Sequence, residues 1–391
     1  MPGSLHKRES LIVGGGIGGL AAAIALGRDG NAVTVLEQSS FTEESGAGIQ
    51  LGPNATRVLR SLGVLQAIEP IAFRPEALLI FDALSGRKLA TVPLGPAIEE
   101  RYGAPHLTLH RADLHAGLLE TCKTLGTVTL RPGFNFASAD DVGDKIVARD
   151  AKGDDIGGDL LIGADGLWSK LRTIVAPNAH PRFARATAYR TMLPREALPS
   201  PFDAAVVGLW LGPNAHLVHY PVRGGKELNL VAVIEGGGEA QGWNAPADRS
   251  ALLSRFTFWS KDSKSLLEMA TGFRRWSLYR LPRLRHWSKG RIALLGDAAH
   301  PTLPYLAQGA ALAIEDAMTL SECLDASNHP AEVFRNFQRL RQTRTAKVQR
   351  RSRRLGHYYH FKGPARLVRN ALLTRRSHDV LISSLDWLYR A

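Results

Sequence analysis

The sequence predicts a mixed α/β (α+β) fold, in which a Rossmann-like nucleotide-binding domain carries an inserted antiparallel-sheet domain and is followed by C-terminal helices. Three observations lead to this prediction. A glycine-rich loop at 14–19 follows a short apolar run and precedes an alanine-rich segment. Most of the region 182–234 consists of segments with a strand-like pattern. Helix-forming segments dominate from residue 307 onward.

The length of 391 residues exceeds one ordinary core, and a hydrophobic content of 45% supports a globular protein. We expect a discontinuous nucleotide-binding domain at 1–180 and 285–330, a substrate domain at 181–284, and a basic helical segment at 331–391. Residues 70–110 should be shared with the substrate side, because 77–82 and 88–92 resemble a hairpin.

The composition limits the compartment and the partners. Two cysteines give no disulfide framework, which fits a reducing compartment. The first ten residues are polar, and no run of 18 apolar residues is present. We therefore expect a cytoplasmic protein without a signal peptide or a membrane span, either a monomer or a homodimer.

The first glycine loop satisfies the pattern G-x-G-x-x-G with Gly14, Gly16 and Gly19. Gly14 permits the tight turn, Gly16 lets the backbone approach a pyrophosphate, and Gly19 lets helix and strand pack closely. Ile17 and Gly18 open the following helix, whose free N–H groups attract phosphate. The alternative is an ordinary glycine turn.

A carboxylate follows at the spacing of a ribose-binding acid. Glu37 ends the second apolar run, 18 positions after Gly19, and Gln38 comes next. Strand, loop, helix, strand and acid thus stand in the order of a dinucleotide site, which favours that interpretation over a simple turn.

Two further glycine motifs follow apolar runs. Asp165 lies in the segment 163–166, and Asp297 and Pro301 lie in 296–301. A helix start with Gly309 and Ala310 comes soon after. Three motifs in this order indicate an FAD site built from distant parts of the chain. Each aspartate taken alone is equally compatible with turn formation or helix capping.

These motifs resemble those of single-component flavin-dependent aromatic hydroxylases, the salicylate hydroxylase and para-hydroxybenzoate hydroxylase group. The resemblance runs from about residue 11 to 318. It implies that FAD is the cofactor, that NADH or NADPH reduces it, and that O₂ forms a flavin C4a-hydroperoxide that hydroxylates an aromatic ring. No metal is expected. The resemblance also places Arg111 and Gly48 at the FAD.

The substrate needs a base, because a phenolate ring is the stronger nucleophile. His216 and Tyr220 are four residues apart on a predicted strand and share one face, whereas His219 should face the other way. Similar hydroxylases have a His-x-x-x-Tyr pair here that contacts the substrate. The alternative for His216 is a purely structural role.

The opposite pocket wall should come from the segment 301–308. Pro304 and Tyr305 replace the polar Gln or His of some relatives, and this resembles salicylate hydroxylases more than hydroxynicotinate hydroxylases. Gln50 stands where a hydroxynicotinate-type relative has His. Ordinary loop packing would also explain these three residues.

The positive charge is local. The chain carries a net charge of +13, and residues 333–376 contain fourteen Lys or Arg but no Asp or Glu. Steering of an anionic substrate, an anionic surface or nucleic acid would suit this segment. A solvated helix that covers the fold is the favoured interpretation, since no nucleic-acid module accompanies the charge.

The sequence therefore predicts a flavin-dependent monooxygenase for a small phenolic, anionic aromatic substrate. One alternative is a flavin monooxygenase of a larger polycyclic or quinolone-like compound. Another is a non-enzymatic protein that binds nucleotides or nucleic acid through the basic segment.

Overall fold

The computed structural model describes residues 7–41, 47–236, 238–239, 244–327 and 329–390. Most of the polar start of the chain therefore lies outside the described residues. The strands are β1 (Glu9–Val13), β2 (Ala32–Glu37), β3 (Gly48–Leu51), β4 (Ala77–Asp82), β5 (Lys88–Pro93), β6 (Leu107–His110), β7 (Val128–Pro132), β8 (Phe136–Val142), β9 (Lys145–Asp150), β10 (Asp155–Gly158), β11 (Leu160–Gly163), β12 (Arg182–Pro194), β13 (Val206–Gly212), β14 (Ala215–Val222), β15 (Glu227–Glu235), β16 (Ala245–Pro246), β17 (Arg274–Arg280), β18 (Ser288–Lys289) and β19 (Ile292–Leu294).

The helices alternate with these strands in the first half and dominate the end of the chain. They are α1 (Ile17–Arg28), α2 (Pro53–Ser61), α3 (Leu65–Ile68), α4 (Pro96–Tyr102), α5 (Arg111–Lys123), α6 (Leu171–Val175), α7 (Arg249–Ser254), α8 (Lys261–Met269), α9 (Gly309–Ala326), α10 (Pro330–Tyr359), α11 (Gly363–Thr374), α12 (His378–Ser383) and α13 (Asp386–Tyr389). Single 3-10 turns occur at Arg195–Ala197, Arg223–Gly225, Gly296–Ala298 and Pro304–Leu306.

The nucleotide-binding half is built on a six-stranded sheet in the order β18-β19-β11-β1-β2-β7. All its neighbours pair in parallel except β18 and β19. Helix α1 is buried from Leu20 to Gly27 because its alanines let it pack closely between the sheet and helices α5 and α9. Because β1, β11 and β19 are adjacent, the loops that follow them meet at one sheet edge.

A second sheet of eight strands follows the order β16-β17-β12-β15-β14-β13-β4-β5. Its centre is antiparallel, as expected, but β13 pairs with β4 in parallel. This pairing is the parallel exception in an otherwise antiparallel sheet, because β4 reaches the sheet from the other half of the chain. The β4–β5 hairpin brings residues 77–93 to the substrate side.

The two faces of this second sheet have different coverings. One face packs against α7 and α8 through an apolar cluster that contains Trp210, Leu217 and Leu230. The other face is covered by the C-terminal helices, with α11 and α12 against β5. Helix α10 runs for 30 residues along α9. None of the helices in the described ranges has the length and apolar character required to span a bilayer.

Candidate functional site

The three glycine motifs pack directly against one another. Gly14 has a φ of +106°, and a Cβ there would lie 2.4 Å from the carbonyl oxygen of Ala164 in the second motif. A Cβ at Gly19 would lie 1.9 Å from the Gly14 carbonyl oxygen, so both positions require glycine. Gly18 approaches Leu295, just before the third motif, where an added Cβ would lie 3.0 Å from its Cδ2.

The remaining motif glycine faces open space. A Cβ at Gly16 would meet no atom of the described chain within 4 Å. Helix α1 starts at Ile17, and no side chain caps its N-terminus. Its first N–H groups are therefore available to a ligand beside Gly16, which is the arrangement that binds a diphosphate.

The carboxylate of Glu37 is fixed at the end of β2. Its Oε2 accepts a hydrogen bond from the Gly15 backbone N–H at 2.7 Å, and its Oε1 accepts from the Ser39 N–H at 2.8 Å. The acid thus lies beside the first motif, where the sequence placed a ribose-binding group. Gln38 is exposed.

Asp165 has a structural task in addition to the predicted one. Its Oδ2 accepts hydrogen bonds from the N–H groups of Lys170 and Leu171 at 2.8 and 3.1 Å, which is the capping role left open above. Its Oδ1 is buried and has no partner among the described residues. Burial raises the pKa of this carboxyl. The neighbouring Arg172 donates to the Ala298 carbonyl at 3.0 Å and so joins the second motif to the third.

Asp297 is exposed, although the residues on either side of it are buried. Desolvation raises its pKa, and His300 and Arg111 oppose that effect. Arg111 begins α5 and donates its backbone N–H to the Ala47 carbonyl at 2.7 Å. Pro301 is buried and accepts from the Gln349 side chain at 3.0 Å.

These residues fit FAD. The open space at Gly16 and the uncapped start of α1 suit the diphosphate, Glu37 suits the ribose, and the exposed Asp297 suits the ribityl chain. Helix α9 begins at Gly309 without a side-chain cap, and its N-terminal dipole suits the electron-rich edge of the flavin. Bound FAD supplies hydride acceptance from NAD(P)H and the activation of O₂.

A cavity of about 940 Å³ lies between the second sheet and the C-terminal helices. Its walls include every residue predicted for the substrate pocket, namely Gln50, His216, Tyr220, Pro304 and Tyr305, and they include the flavin-side residues Gly48, Gly309 and Ala310. These residues come from segments that are distant in the sequence, and the fold brings them together around one cavity.

The register of β14 agrees with the prediction. His216 and Tyr220 line the cavity together with Val218. His219 lies on the opposite face, where its ring packs edge-on against Phe202, with centroids 5.5 Å apart. A Cβ at Gly208 would lie 2.0 Å from His219 Nε2, so a glycine makes room for this imidazole.

His216 is buried and forms part of an imidazole pair. Its Nδ1 lies 2.8 Å from Nε2 of His360, the C-cap residue that follows α10. The rings of Tyr305 and Tyr359 pack at 5.4 and 5.3 Å from it. Burial, and to a lesser degree His360, lower the pKa of His216 well below its ordinary value, so the ring is neutral at pH 7.

Tyr220 is held by a close approach of β3. A Cβ at Gly48 would lie 2.7 Å from the Tyr220 ring and 2.5 Å from the side chain of Asn229. The Gly48 N–H donates to Asn229 Oδ1 at 2.8 Å. Burial raises the pKa of the Tyr220 phenol, and Arg190 opposes that effect. Tyr220 is therefore a neutral hydrogen-bonding group at this wall.

Two histidines of this cavity region escaped the sequence prediction. His360 lies inside the basic segment, whose charge pattern does not indicate a role for this histidine. His106 lines the cavity, and its two ring nitrogens have no partner among the described residues. Burial lowers the pKa of His106 to about 4. Neither residue belongs to a motif, so only tertiary structure reveals them.

The basic segment covers the fold with a largely exposed set of arginines, as the favoured interpretation expects, but a few of its arginines line the cavity or are buried. Arg351, Arg354 and Arg376 line the cavity, and the Arg351 guanidinium lies 4.0 Å from the centroid of the Trp387 ring. Arg341, on the same helix as Arg351 and Arg354, is buried. Because the helix carries arginines on most of its faces, the sequence alone does not show which of them are buried and which line the cavity.

Arg341 belongs to a buried ion network behind the flavin motifs. Asp316 on α9 accepts from Arg341 Nε at 2.6 Å, contacts His300 Nε2 at 2.6 Å and accepts the Gly296 N–H at 3.0 Å. Burial raises the pKa of Asp316, but His300 and Arg341 together outweigh it and bring the pKa to about 2. Glu315 forms the second half of this network with Arg341 and Arg344.

The comparisons with known proteins agree with this geometry. A family model described as "FAD binding domain" matches residues 7–351. The chain is 37% identical over 380 residues to 3-hydroxybenzoate 6-hydroxylase 1 of Aquipseudomonas alcaligenes, which covers 97% of this chain and 96% of that one. It is 36% identical over 389 residues to 3-amino-4-hydroxybenzoate 2-monooxygenase of Streptomyces platensis, which covers 99% and 96%.

The chain belongs to this FAD-binding family of aromatic-ring monooxygenases. The predicted family, cofactor and enzyme class are confirmed. The monooxygenase also shares its fold with a salicylate hydroxylase substrate complex, at a TM-score of 0.84, 24% identity and coverage of 98% and 96% of the two chains. A Klebsiella pneumoniae HpxO complexed with FAD gives a TM-score of 0.85 at 22% identity, with 98% of each chain covered. The predicted fold class is therefore confirmed.

The monooxygenase uses FAD with NAD(P)H and O₂ to hydroxylate a small phenolic or aromatic acid. Across the described ranges, no group of three or more His, Cys, Asp or Glu is arranged to hold a metal ion. The roles of the individual site residues remain predictions. The structure gives the positions of these residues relative to one another.

Proposed function

We propose that this monooxygenase hydroxylates a hydroxybenzoate, with His216 as the base that takes the phenolic proton. The observation that carries the proposal is that His216 and Tyr220 share a cavity with three arginines and with the predicted flavin-contacting residues. The similar proteins named above act on 3-hydroxybenzoate and 3-amino-4-hydroxybenzoate according to their names, which supports a carboxylated phenol as the substrate class.

His216 suits the role of a base because it is neutral and its orientation is fixed. With Nδ1 engaged by His360, Nε2 is the nitrogen left for the substrate. A neutral imidazole offers a lone pair there, and removal of the phenolic proton makes the ring the stronger nucleophile. Tyr220 lies on the same face of β14 as His216 and Val218. We assign it the role of orienting the substrate hydroxyl.

The carboxylate of the substrate is assigned to the arginine side of the cavity. Arg351, Arg354 and Arg376 are exposed at its wall, and guanidinium groups bind carboxylates in a bidentate manner. The same charges attract an anion before it binds. Steering, an interpretation left open by the sequence, therefore gains support, and Arg341, Arg344 and Arg369 serve internal contacts instead of adding to the exposed charge.

A larger polycyclic or quinolone-like substrate is the second candidate. The cavity volume of about 940 Å³ exceeds that of one benzoate ring and favours it. The same volume also contains the walls expected to contact the flavin ring, at Gly48, Gly309 and Ala310. The flavin ring would occupy part of the space, which leaves room for a small substrate and supports the hydroxybenzoate.

The remaining proposals concern location and assembly. Cys122 and Cys323 are buried free thiols, which suits a reducing compartment, and we place the enzyme in the cytoplasm as a monomer or homodimer.

The test is a panel of hydroxybenzoates, aminohydroxybenzoates and larger quinolones, each added to the FAD-loaded enzyme with NADH or NADPH. A hydroxybenzoate should stimulate NAD(P)H oxidation and yield a hydroxylated product that mass spectrometry identifies. Stimulation by the larger compounds alone, with product formed from them, would replace the proposal with the second candidate.

A further inference from the structure

We infer that Glu235, His360 and His216 form a proton relay that carries the phenolic proton from the buried cavity to solvent. This inference rests on the proposed function, because it takes His216 as the base. It adds two residues, His360 and Glu235, that belong to no sequence motif of the chain.

The relay is visible as two short contacts in series. His216 Nδ1 is hydrogen-bonded to His360 Nε2 at 2.8 Å, and His360 Nδ1 lies 2.8 Å from Glu235 Oε1 in an ion-pair contact that is not aligned as a hydrogen bond. Both imidazole side chains are almost fully buried, whereas the Glu235 side chain retains 36% of its exposure. The three residues therefore connect the cavity wall, at His216, to the solvent-accessible carboxylate of Glu235.

The backbone fixes the three residues together. Asn214, in the turn between β13 and β14, accepts the Glu235 N–H on its carbonyl at 2.8 Å and donates its own N–H to the His360 carbonyl at 3.3 Å. His216 follows two positions later on β14. One turn thus holds the end of β15, the end of α10 and the base in register, although they are distant in sequence.

The proton balance of the relay is complete. The substrate O–H bond breaks and a bond forms to His216 Nε2, while the Nδ1 proton of His216 moves to His360 Nε2. The Nδ1 proton of His360 then moves to the Glu235 carboxylate, after rotation of this partly exposed side chain brings an oxygen into line with the N–H, and Glu235 releases a proton to water. Both imidazoles end neutral in the opposite tautomer, and a substrate phenolate remains in the cavity. No oxidant or reductant takes part.

The surroundings favour a relay through neutral rings. Around His216 stand the rings of Tyr305 and Tyr359. His360 has the carboxylate Glu235 on one side, and His357 and the guanidinium of Arg369 lie nearby. Burial lowers the pKa of both histidines, and Glu235 only partly offsets this at His360. A buried imidazolium is thus disfavoured, and concerted transfer avoids forming one.

A chromogenic ligand tests the relay without turnover. The probe is 3-hydroxy-4-nitrobenzoate, whose phenolate absorbs visible light, mixed with the oxidised FAD-loaded enzyme in a stopped-flow spectrometer. We expect Glu235→Gln and His360→Gln to keep FAD and to bind the probe within about twofold of wild type, but to ionise it roughly 10²-fold more slowly. Glu235→Asp, which keeps a carboxylate, should recover most of the rate.

Glu227→Gln is the matched control. Glu227 starts the same strand, its side chain is 37% exposed, and it pairs with Arg223 away from the histidines. This variant loses the same charge and should ionise the probe at the wild-type rate. An equal slowing by Glu227→Gln and Glu235→Gln would overturn the relay, because net charge alone would then explain both.

A wrong relay and a wrong base would give different results. If His216→Ala slows ionisation but Glu235→Gln and His360→Gln do not, the base stands and the relay is wrong. If His216→Ala ionises the probe at the wild-type rate, the proposed base is wrong and the relay falls with it. Should His360→Gln lose FAD, the comparison of Glu235→Gln with Glu235→Asp decides the matter.

Discussion

Arg341 on α10 donates from Nε to Asp316 Oδ1 on α9 across 2.6 Å, at a place where both side chains are buried. Asp316 in turn accepts the N–H of Gly296, the first residue of the third glycine motif. The basic helix therefore supports the loop that carries Asp297, and its charge has an internal function.

The first prediction follows from this contact. Arg341→Met should destabilise the fold by about 3–5 kcal/mol, because it removes the buried cation that the carboxylates of Asp316 and Glu315 share. Chemical denaturation measures the free energy of unfolding. Arg350→Met, a change at an exposed arginine of the same helix, serves as the control and should alter it by less than about 0.5 kcal/mol. Equal stability of the two variants would show that the network adds nothing.

The second prediction concerns the cofactor. Glu37→Ala and Asp297→Ala should purify folded but bind FAD about 10- to 100-fold more weakly, because each loses a charged hydrogen-bond acceptor. The ratio of flavin absorption at 450 nm to protein absorption reports the content, and titration of the apoprotein gives the affinity. Glu120→Ala, at an exposed carboxylate on α5, should retain FAD. Stoichiometric FAD with unchanged affinity in both variants would remove these residues from the cofactor site.

The sequence predicted the nucleotide-binding half best, because its function requires local motifs. Gly14, Gly16 and Glu37 occupy a loop, a helix start and a strand end that obey backbone rules visible within about 25 residues. The face of β14 that carries His216 followed from the alternation of side chains along a strand.

The rest depended on contacts between distant segments. His360 meets His216 across 144 positions, and the parallel pairing of β13 with β4 joins segments more than 120 residues apart. Arginine usually lies at the surface, so the sequence does not distinguish Arg341 from Arg350. Only the structure shows that Arg341 is buried against Asp316 whereas Arg350 is exposed. No periodicity in the sequence encodes such pairings, because they arise from the packing of whole elements.

The third prediction separates hydride transfer from hydroxylation. His216→Ala should bind FAD and consume NAD(P)H, but its coupled hydroxylation rate should fall roughly 10²- to 10⁴-fold, since the ring stays a poor nucleophile without its base. H₂O₂ should account for most of the NAD(P)H consumed. His219→Ala alters the opposite face of β14 and should remain largely coupled. The reverse pattern would mean that the functional face of β14 is misassigned.

The fourth prediction tests the arginine wall. Arg351→Gln combined with Arg354→Gln should raise the KM for a hydroxybenzoate about 10- to 100-fold, because a charged hydrogen-bond partner of the carboxylate is lost. The wild-type kcat/KM should fall as ionic strength rises, and the variant should lose that dependence. Arg350→Gln should behave as wild type in both assays. A variant with unchanged KM and unchanged salt dependence would return these arginines to a purely structural role.

The fifth prediction concerns pH and stability. Burial lowers the pKa of His219 to about 4, below its value of about 6.5 in the unfolded chain. The contribution of neutral His219 is therefore fully present above pH 6.5 and is lost as the pH falls toward 4. At pH 5 this loss should amount to about 2 kcal/mol. His219→Leu should remove that part of the decline in unfolding free energy between pH 7.5 and 5; an unchanged decline would contradict the assignment.

The central claim is that this cavity places an oxygen atom from O₂ on the ring of a hydroxybenzoate. Incubation of the FAD-loaded enzyme with NAD(P)H, a hydroxybenzoate and ¹⁸O₂ tests it most directly, with mass spectrometry of the product. We predict one ¹⁸O atom in each product molecule and nearly one product per NAD(P)H consumed. NAD(P)H oxidation that yields only H₂O₂ with every hydroxybenzoate, or a product whose new oxygen comes from water, would contradict the account.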